Sequence, residues 1–194
     1  MEEKKSLDSD YFKDVYDAND DPWNFETSEY EAAKYASTIE ALPKEYYENV
    51  LEIGCSIGVL TQLLAKRAGK LLATDVSDKA LEIAARRNNQ SQNVSFKNVS
   101  FPRELPKDRY DLIMVSEVAY YLSSVEWEFA IESLYGRIKE KGNIVLVHWL
   151  PEVHDYPQTG DEVHNSFKRL MGTKMNNIFS AREECYRLDV WEKL

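Results

Sequence analysis

The sequence predicts a doubly wound α/β fold, with a mostly parallel sheet and helices on both faces. Three observations predict it. Between residues 47 and 149, short apolar runs of β type alternate with helical patterns. Glycines stand where the first run turns into a helix. The fifth run, Ile144–Val147, is apolar throughout, as a strand buried on both faces should be.

Taken in order, residues 1–46 are polar, aromatic and helical in pattern. They read as a lid on a core of 47–194, the two forming a single domain. Val50–Ile53 is a first strand broken by Gly54. Val59, Leu60, Leu63 and Leu64 follow at helical spacing, before a Gly69 suited to a helix end. Leu71–Thr74 is a second strand ending at Asp75, and Ser77 caps a helix with Ala80, Leu81 and Ala84 on one face. Val94–Phe96 and Leu112–Val115 are the third and fourth strands. Ser123 with Glu126 reads as a capping box for a helix bearing Trp127, Ala130, Ile131, Leu134 and Ile138, which Gly142 ends. The five strands make five β–α repeats. Ile178–Ser180 and Tyr186–Trp191 then extend the sheet by a hairpin.

Composition narrows the function classes. The chain has 194 residues, the size of one domain, with 24 Lys plus Arg against 34 Asp plus Glu, a net charge of −10. That balance speaks against a nucleic-acid backbone, which needs a basic footprint, and against an anionic membrane surface. Hydrophobic residues, at 43%, suffice for a core. No apolar run reaches the length of a membrane span, and MEEKKSLDSDYF holds no signal-peptide core. Cys55 and Cys185 lie far apart without CxxC or histidine spacing, so a reducing cytoplasm is expected, with no disulfide and no zinc. A monomer or weak homodimer is expected.

In doubly wound sheets, ligands bind beyond the C-terminal strand ends. Gly54 and Gly58 permit close backbone approach and positive φ, and the helix after them presents unpaired N–H groups. A dinucleotide fingerprint has glycines at i, i+2 and i+5. Here they fall at i and i+4, with Val59 at i+5, which disfavours a pyrophosphate and a nicotinamide oxidoreductase. Asp75, seventeen positions after Gly58, can accept hydrogen bonds from a ribose diol.

Glu52-x-Gly54-x-Ser56-x-Gly58 followed by Asp75 resembles motifs I and II of class I S-adenosylmethionine-dependent methyltransferases. The string Asp21-Pro22-Trp23-Asn24-Phe25-Glu26-Thr27-Ser28-x-Tyr30-Glu31, with Ser116-Glu117-Val118-x-Tyr120-Tyr121-Leu122, resembles the nodulation protein S family of N-methyltransferases. The resemblance runs from about Tyr11 to about Trp149. It implies a Rossmann-like sheet of about seven strands with an antiparallel C-terminal hairpin. It also implies S-adenosylmethionine as cofactor, leaving as S-adenosylhomocysteine. Glu52, Gly54, Ser56 and Gly58 would surround the methionine part, and Asp75, with Val76 beside it, would hold the ribose. Ser56 stands where the superfamily has glycine or alanine, and fits if its φ is negative. Where the family has an adenine-binding Asp, the best register places Ser100, with Phe101 against the ring; the other register offers Asn98-Val99. That family methylates a deacetylated chitooligosaccharide, which implies an amine on a small-molecule or saccharide acceptor. O-methylation of a small metabolite and a non-catalytic S-adenosylmethionine-binding protein are the alternatives.

Acceptor-side candidates follow the fourth and fifth strands. Glu117 can contact the methionine amine or the acceptor, or serve only as a helix-start carboxylate. Tyr120 and Tyr121 can line the acceptor cleft or only pack. His148, whose type titrates near neutrality, is a candidate base or a core histidine. The turn-rich stretch His154–Asp161 is expected to cover the acceptor pocket. Positions 148, 154 and 164 match no metal-ligand spacing. Trp23 and Phe25, and Tyr30 in a helix boxed by Ser28 and Glu31, are suited to close over adenine or to pack the arm onto the sheet.

Overall fold

The computed structural model describes residues 4–194; residues 1–3 of the expected lid lie outside the described residues. The sheet has seven strands. The chain divides into two compact units, Asp8–Ser100 and Phe101–Leu194, the latter including the described residues 4–7.

The first unit contains α1 (Ser9–Ala18), α2 (Glu29–Glu40), β1 (Tyr47–Ile53), α3 (Val59–Ala65), β2 (Ala68–Asp75), α4 (Asp78–Arg87) and β3 (Val94–Asn98). Its strands run parallel in the order β3-β2-β1. Val50, Leu51, Leu71 and Ala73 are buried in the sheet, and Ala80, Leu81 and Ala84 form the buried stripe of α4. Ser77 Oγ caps α4 by accepting the Ala80 N–H, while Arg86 and Arg87 complement the dipole in its last turn. Gly69 does not end a helix, because α3 stops at Ala65 and Gly69 lies inside β2. A Cβ there would meet Tyr46 Oη at 2.2 Å and the Glu48 carbonyl oxygen at 2.9 Å. Ser28 accepts the Glu31 N–H, but the Glu31 carboxylate pairs with Lys34 at 2.9 Å, so only half of the expected box forms.

The second unit contains β4 (Tyr110–Ser116), a 3-10 turn (Ala119–Tyr121), α5 (Ser124–Arg137), β5 (Ile138–Trp149), α6 (Gly160–Met171), β6 (Met175–Arg182) and β7 (Tyr186–Lys193). Its strand order is β4-β5-β7-β6, with β4 and β5 parallel and β7 antiparallel to both neighbours. The mostly parallel sheet and antiparallel C-terminal strands are those the sequence predicts. The third β–α repeat, however, has no helix: residues 99–109 are turns and loop. Gly142 lies within β5, not at a helix end. Ile138 continues the helical spacing by coincidence and opens β5 opposite Tyr110. Ser123 accepts the Glu126 N–H, but the Glu126 carboxylate turns to the Ser6 hydroxyl and Arg103. The reciprocal box forms instead at Thr159 and Glu162, opening α6.

Trp127 on α5 is wholly buried and donates its Nε1–H to the Val163 carbonyl on α6 at 3.0 Å. Among the described residues no helix is long and apolar enough to cross a membrane. A Cβ on Gly160 would lie 2.3 Å from the Trp149 carbonyl oxygen and 3.2 Å from His148 Cβ. Overpacking of this kind costs about 1–3 kcal/mol. Gly160→Ala should therefore lower the urea midpoint by that equivalent, and an unchanged midpoint would contradict the packing described.

Candidate active site

After β1 the chain takes a left-handed conformation at every second residue: Gly54 (φ 73°), Ser56 (φ 51°) and Gly58 (φ 77°). Alternation of this kind turns backbone N–H groups toward one concavity. The Gly54 and Cys55 N–H groups both donate to the Thr74 carbonyl, at 2.8 and 2.9 Å. From behind, Arg87 Nε donates to the Ile57 carbonyl at 2.9 Å and Asn88 Nδ2 to the Gly58 carbonyl at 3.0 Å. A Cβ on Gly58 would lie 2.7 Å from Asn88 Nδ2, so glycine is required there for space as well as for φ.

Asp75 ends β2 and is 9% exposed. Its Oδ2 accepts the Ser56 N–H at 2.9 Å and its Oδ1 the Ser77 N–H at 3.0 Å. Burial raises its pKa, and the backbone donors oppose that rise. Each oxygen keeps capacity for a further donor. Ser56 departs from the expected negative φ: with its N–H on Asp75 it takes the left-handed conformation, at a cost of about 1–2 kcal/mol. Its Oγ accepts from the Tyr16 hydroxyl at 2.6 Å. Glu52, buried one residue before the end of β1, accepts from the Thr61 hydroxyl at 2.7 Å. Burial, reinforced by the Asp75 charge against the Thr61 bond, pushes its pKa up to about 8.

Asn98 pairs with Asp75 across the β2–β3 ladder. Its amide donates to the Val76 carbonyl at 3.0 Å and to Asp78 Oδ1 at 2.6 Å. Ser100 ends the first unit and Phe101 begins the second segment of the other.

The arm is packed by its own string. Asp21 accepts the Phe25 and Glu26 N–H groups at 2.8 and 2.9 Å, Asn24 takes the left-handed position, and the Glu26 carboxylate pairs with Arg87 at 3.1 Å. Trp23 stacks on Phe25 and meets Tyr16 edge-on. Both half-buried rings pack with Ile57 of the turn after β1 and Ala80 of α4. Tyr30 is exposed, with Lys34 Nζ 5.5 Å from its ring centre. Tyr16, 2% exposed, was not among the sequence candidates; only the aromatic spacing of Tyr11, Phe12 and Tyr16 on α1 marks its face.

In the second unit, Glu117 follows β4 in a left-handed conformation (φ 57°), its N–H donating to the Val147 carbonyl at 2.8 Å. Its Oε2 accepts from the Tyr120 hydroxyl at 2.5 Å and from the Trp149 N–H at 2.9 Å. The rings of Tyr120, Tyr121 and Tyr156 lie 4.7–4.9 Å apart, so the turn-rich stretch does reach the tyrosines. Burial, followed by neighbouring acidic groups, raises the Tyr120 and Tyr121 pKa values well above the usual range. His148 is placed differently from a surface base. It is wholly buried, its Nε2 accepts the Ala119 N–H at 3.1 Å, and its Nδ1 lies 3.1 Å from His164 Nε2. The Nε2 lone pair that a base would use is thus engaged by a backbone donor.

A parallel sheet with an antiparallel C-terminal pair, a glycine turn after β1 and a carboxylate ending β2 define a methyltransferase-type α/β fold. The Nodulation protein S (NodS) family matches residues 8–150, and the chain belongs to that family. Over 131 residues it is 34% identical to nodulation protein S of Bradyrhizobium diazoefficiens, covering 66% of this chain and 63% of that protein. The chain spans 55–63% of the length of the curated nodulation protein S relatives it matches. It is 31% identical to phosphoethanolamine N-methyltransferase 1 of Arabidopsis thaliana, covering 80% of this chain and 38% of that protein. N-methyltransferase NodS from Bradyrhizobium japonicum WM9, solved with S-adenosyl-L-homocysteine, shares the fold with a TM-score of 0.83 at 20% identity, covering 96% of this chain and 99% of that one.

Glu52 gives the site a pH signature. Its folded pKa lies above the ordinary carboxylate value, so its stabilising contribution is complete below about pH 4.5 and is lost as pH rises through about 8. Wild-type stability relative to a Glu52→Gln variant should therefore fall across that window, by up to about 1.4 kcal/mol per pH unit. Urea unfolding at several pH values reads this, and a difference independent of pH would contradict the assignment.

Proposed function

We propose that the chain is an S-adenosylmethionine-dependent N-methyltransferase acting on an amine of a small molecule or saccharide. The observation that carries this reading is the Asp75 carboxylate, buried at a strand end and aligned by the Ser56 and Ser77 N–H groups. Its remaining acceptor capacity suits a ribose diol. The turn Gly54–Gly58, left-handed at alternate residues, lets the backbone approach the methionine part, beside the buried Glu52. Val76 borders the ribose position, Asn98 or Ser100 with Phe101 serves the adenine, and the arm bearing Trp23 and Tyr30 excludes water. The bound cofactor would supply an electrophilic methyl group on a sulfonium.

The chain need only position the acceptor nitrogen and remove its proton. Glu117 fits that role, as a half-buried carboxylate oriented by Tyr120 and by the Trp149 N–H. It accepts one proton as the nitrogen gains the methyl group. Tyr121 and Tyr156 offer aromatic surface to an ammonium or a sugar face. Membership of the NodS family and the phosphoethanolamine N-methyltransferase relative support an amine over a hydroxyl acceptor.

Calorimetry should show micromolar binding of S-adenosylmethionine and S-adenosylhomocysteine and none of NAD. Asp75→Asn should weaken both by roughly tenfold or more. Glu117→Gln should lower transfer to deacetylated chitooligosaccharide or phosphoethanolamine by roughly a hundredfold, with cofactor affinity unchanged. Unchanged cofactor binding in Asp75→Asn would overturn the site, and methyl groups found only on oxygen would overturn the amine.

A further inference from the structure

Ala119 opens the turn between Glu117 and Tyr121, and its N–H can only donate. His148 Nε2, which accepts it, therefore carries no proton. The single hydrogen of a neutral His148 sits on Nδ1 and points at His164 Nε2, 3.1 Å away. His164 Nε2 must then accept, so the His164 hydrogen sits on Nδ1 and points at Asp189 Oδ2, 2.7 Å away. All three side chains are 0% exposed. Asp189 is anchored in turn: the Ser180 hydroxyl donates to its Oδ1 at 2.6 Å, and the Arg187 guanidinium lies 3.0 Å from its Oδ2. One amide hydrogen thus dictates the tautomer of two rings, across β5, α6 and β7.

We propose that His148, His164 and Asp189 are positioning residues: a one-directional hydrogen-bond chain that holds the turn presenting Glu117 and Tyr121. The catalytic consequence rests on the N-methyltransferase reading above; the chain itself does not. Burial lowers the His164 pKa, while burial of Asp189 is outweighed by His164, Ser180 and Arg187, which keep its carboxyl below the usual range. The charged groups around the rings are Asp161 on α6 and Arg187 and Asp189 on β7, with the Tyr120 ring 5.3 Å from His148 on the turn side. A second proton has no place in this arrangement. On His148 Nε2 it would oppose the Ala119 N–H, and on His164 Nε2 it would oppose the His148 Nδ1–H.

Nitrogen-15 NMR of the wild-type chain near neutral pH should find His148 and His164 both neutral with the proton on Nδ1. In His148→Phe the Ala119 amide should exchange with solvent roughly tenfold faster or more, and His148→Gln, whose carbonyl can still accept, should restore protection. Methyl-transfer kcat should fall roughly tenfold to a hundredfold in the Phe variant and recover in the Gln variant, with S-adenosylhomocysteine affinity unchanged in both. A proton on His148 Nε2 in the wild type, or unaltered Ala119 exchange in a folded Phe variant, overturns the proposal whatever the activity. If the NMR results hold but the wild type methylates no amine, the positioning chain stands and the N-methyltransferase reading fails.

Discussion

Asp75 takes one backbone N–H from the turn after β1 and one from the turn after β2. Those two bonds tie together the turns after β1 and β2. A buried carboxylate is costly unless hydrogen bonded, and here the donors come from the segments that a nucleoside would touch. Ser56 pays for this with a left-handed backbone, and Tyr16 supports its hydroxyl from α1. The Gly58 carbonyl and Ile57 are held from α4, so the turn is fixed from both sides.

The non-glycine residues with positive φ number four among the described residues, and two of them, Ser56 and Glu117, lie in the turns after parallel strands at proposed ligand contacts. Such conformations persist where the surroundings over-determine them. At Ser56 the determinant is the Asp75 carboxylate. At Glu117 it is the Val147 carbonyl, the Trp149 N–H and the Tyr120 hydroxyl, which together fix both the backbone and the side chain. Catalytic geometry of the proposed kind gains from this, because a group already held in place loses no further freedom when the acceptor arrives.

Features governed by local sterics were legible in the sequence. The break at Gly54, the cap at Ser77, the carboxylate at Asp75 and the apolar run Ile144–Val147 within β5 follow from neighbours within a few residues. Features created by tertiary approach were not. Gly69 and Gly142 look like helix ends, but they lack a Cβ because Tyr46 and Ile138 crowd them. Ser123 and Glu126 have the spacing of a box, yet Arg103 and Ser6 divert the glutamate. Residue spacing gives no sign that Tyr16 reaches Ser56 or that His148 meets His164 and Asp189, since those partners lie on separate elements. For the same reason a lone histidine past an apolar run reads equally as a base or as part of the core.

Titration of the labelled chain with S-adenosylhomocysteine, followed by backbone amide shifts, tests the central claim most directly. The account predicts the largest changes at Gly54, Ser56, Gly58 and Ser77, the amides that flank the Asp75 carboxylate. Saturable binding that leaves those four amides unmoved, or no binding at all, would contradict it.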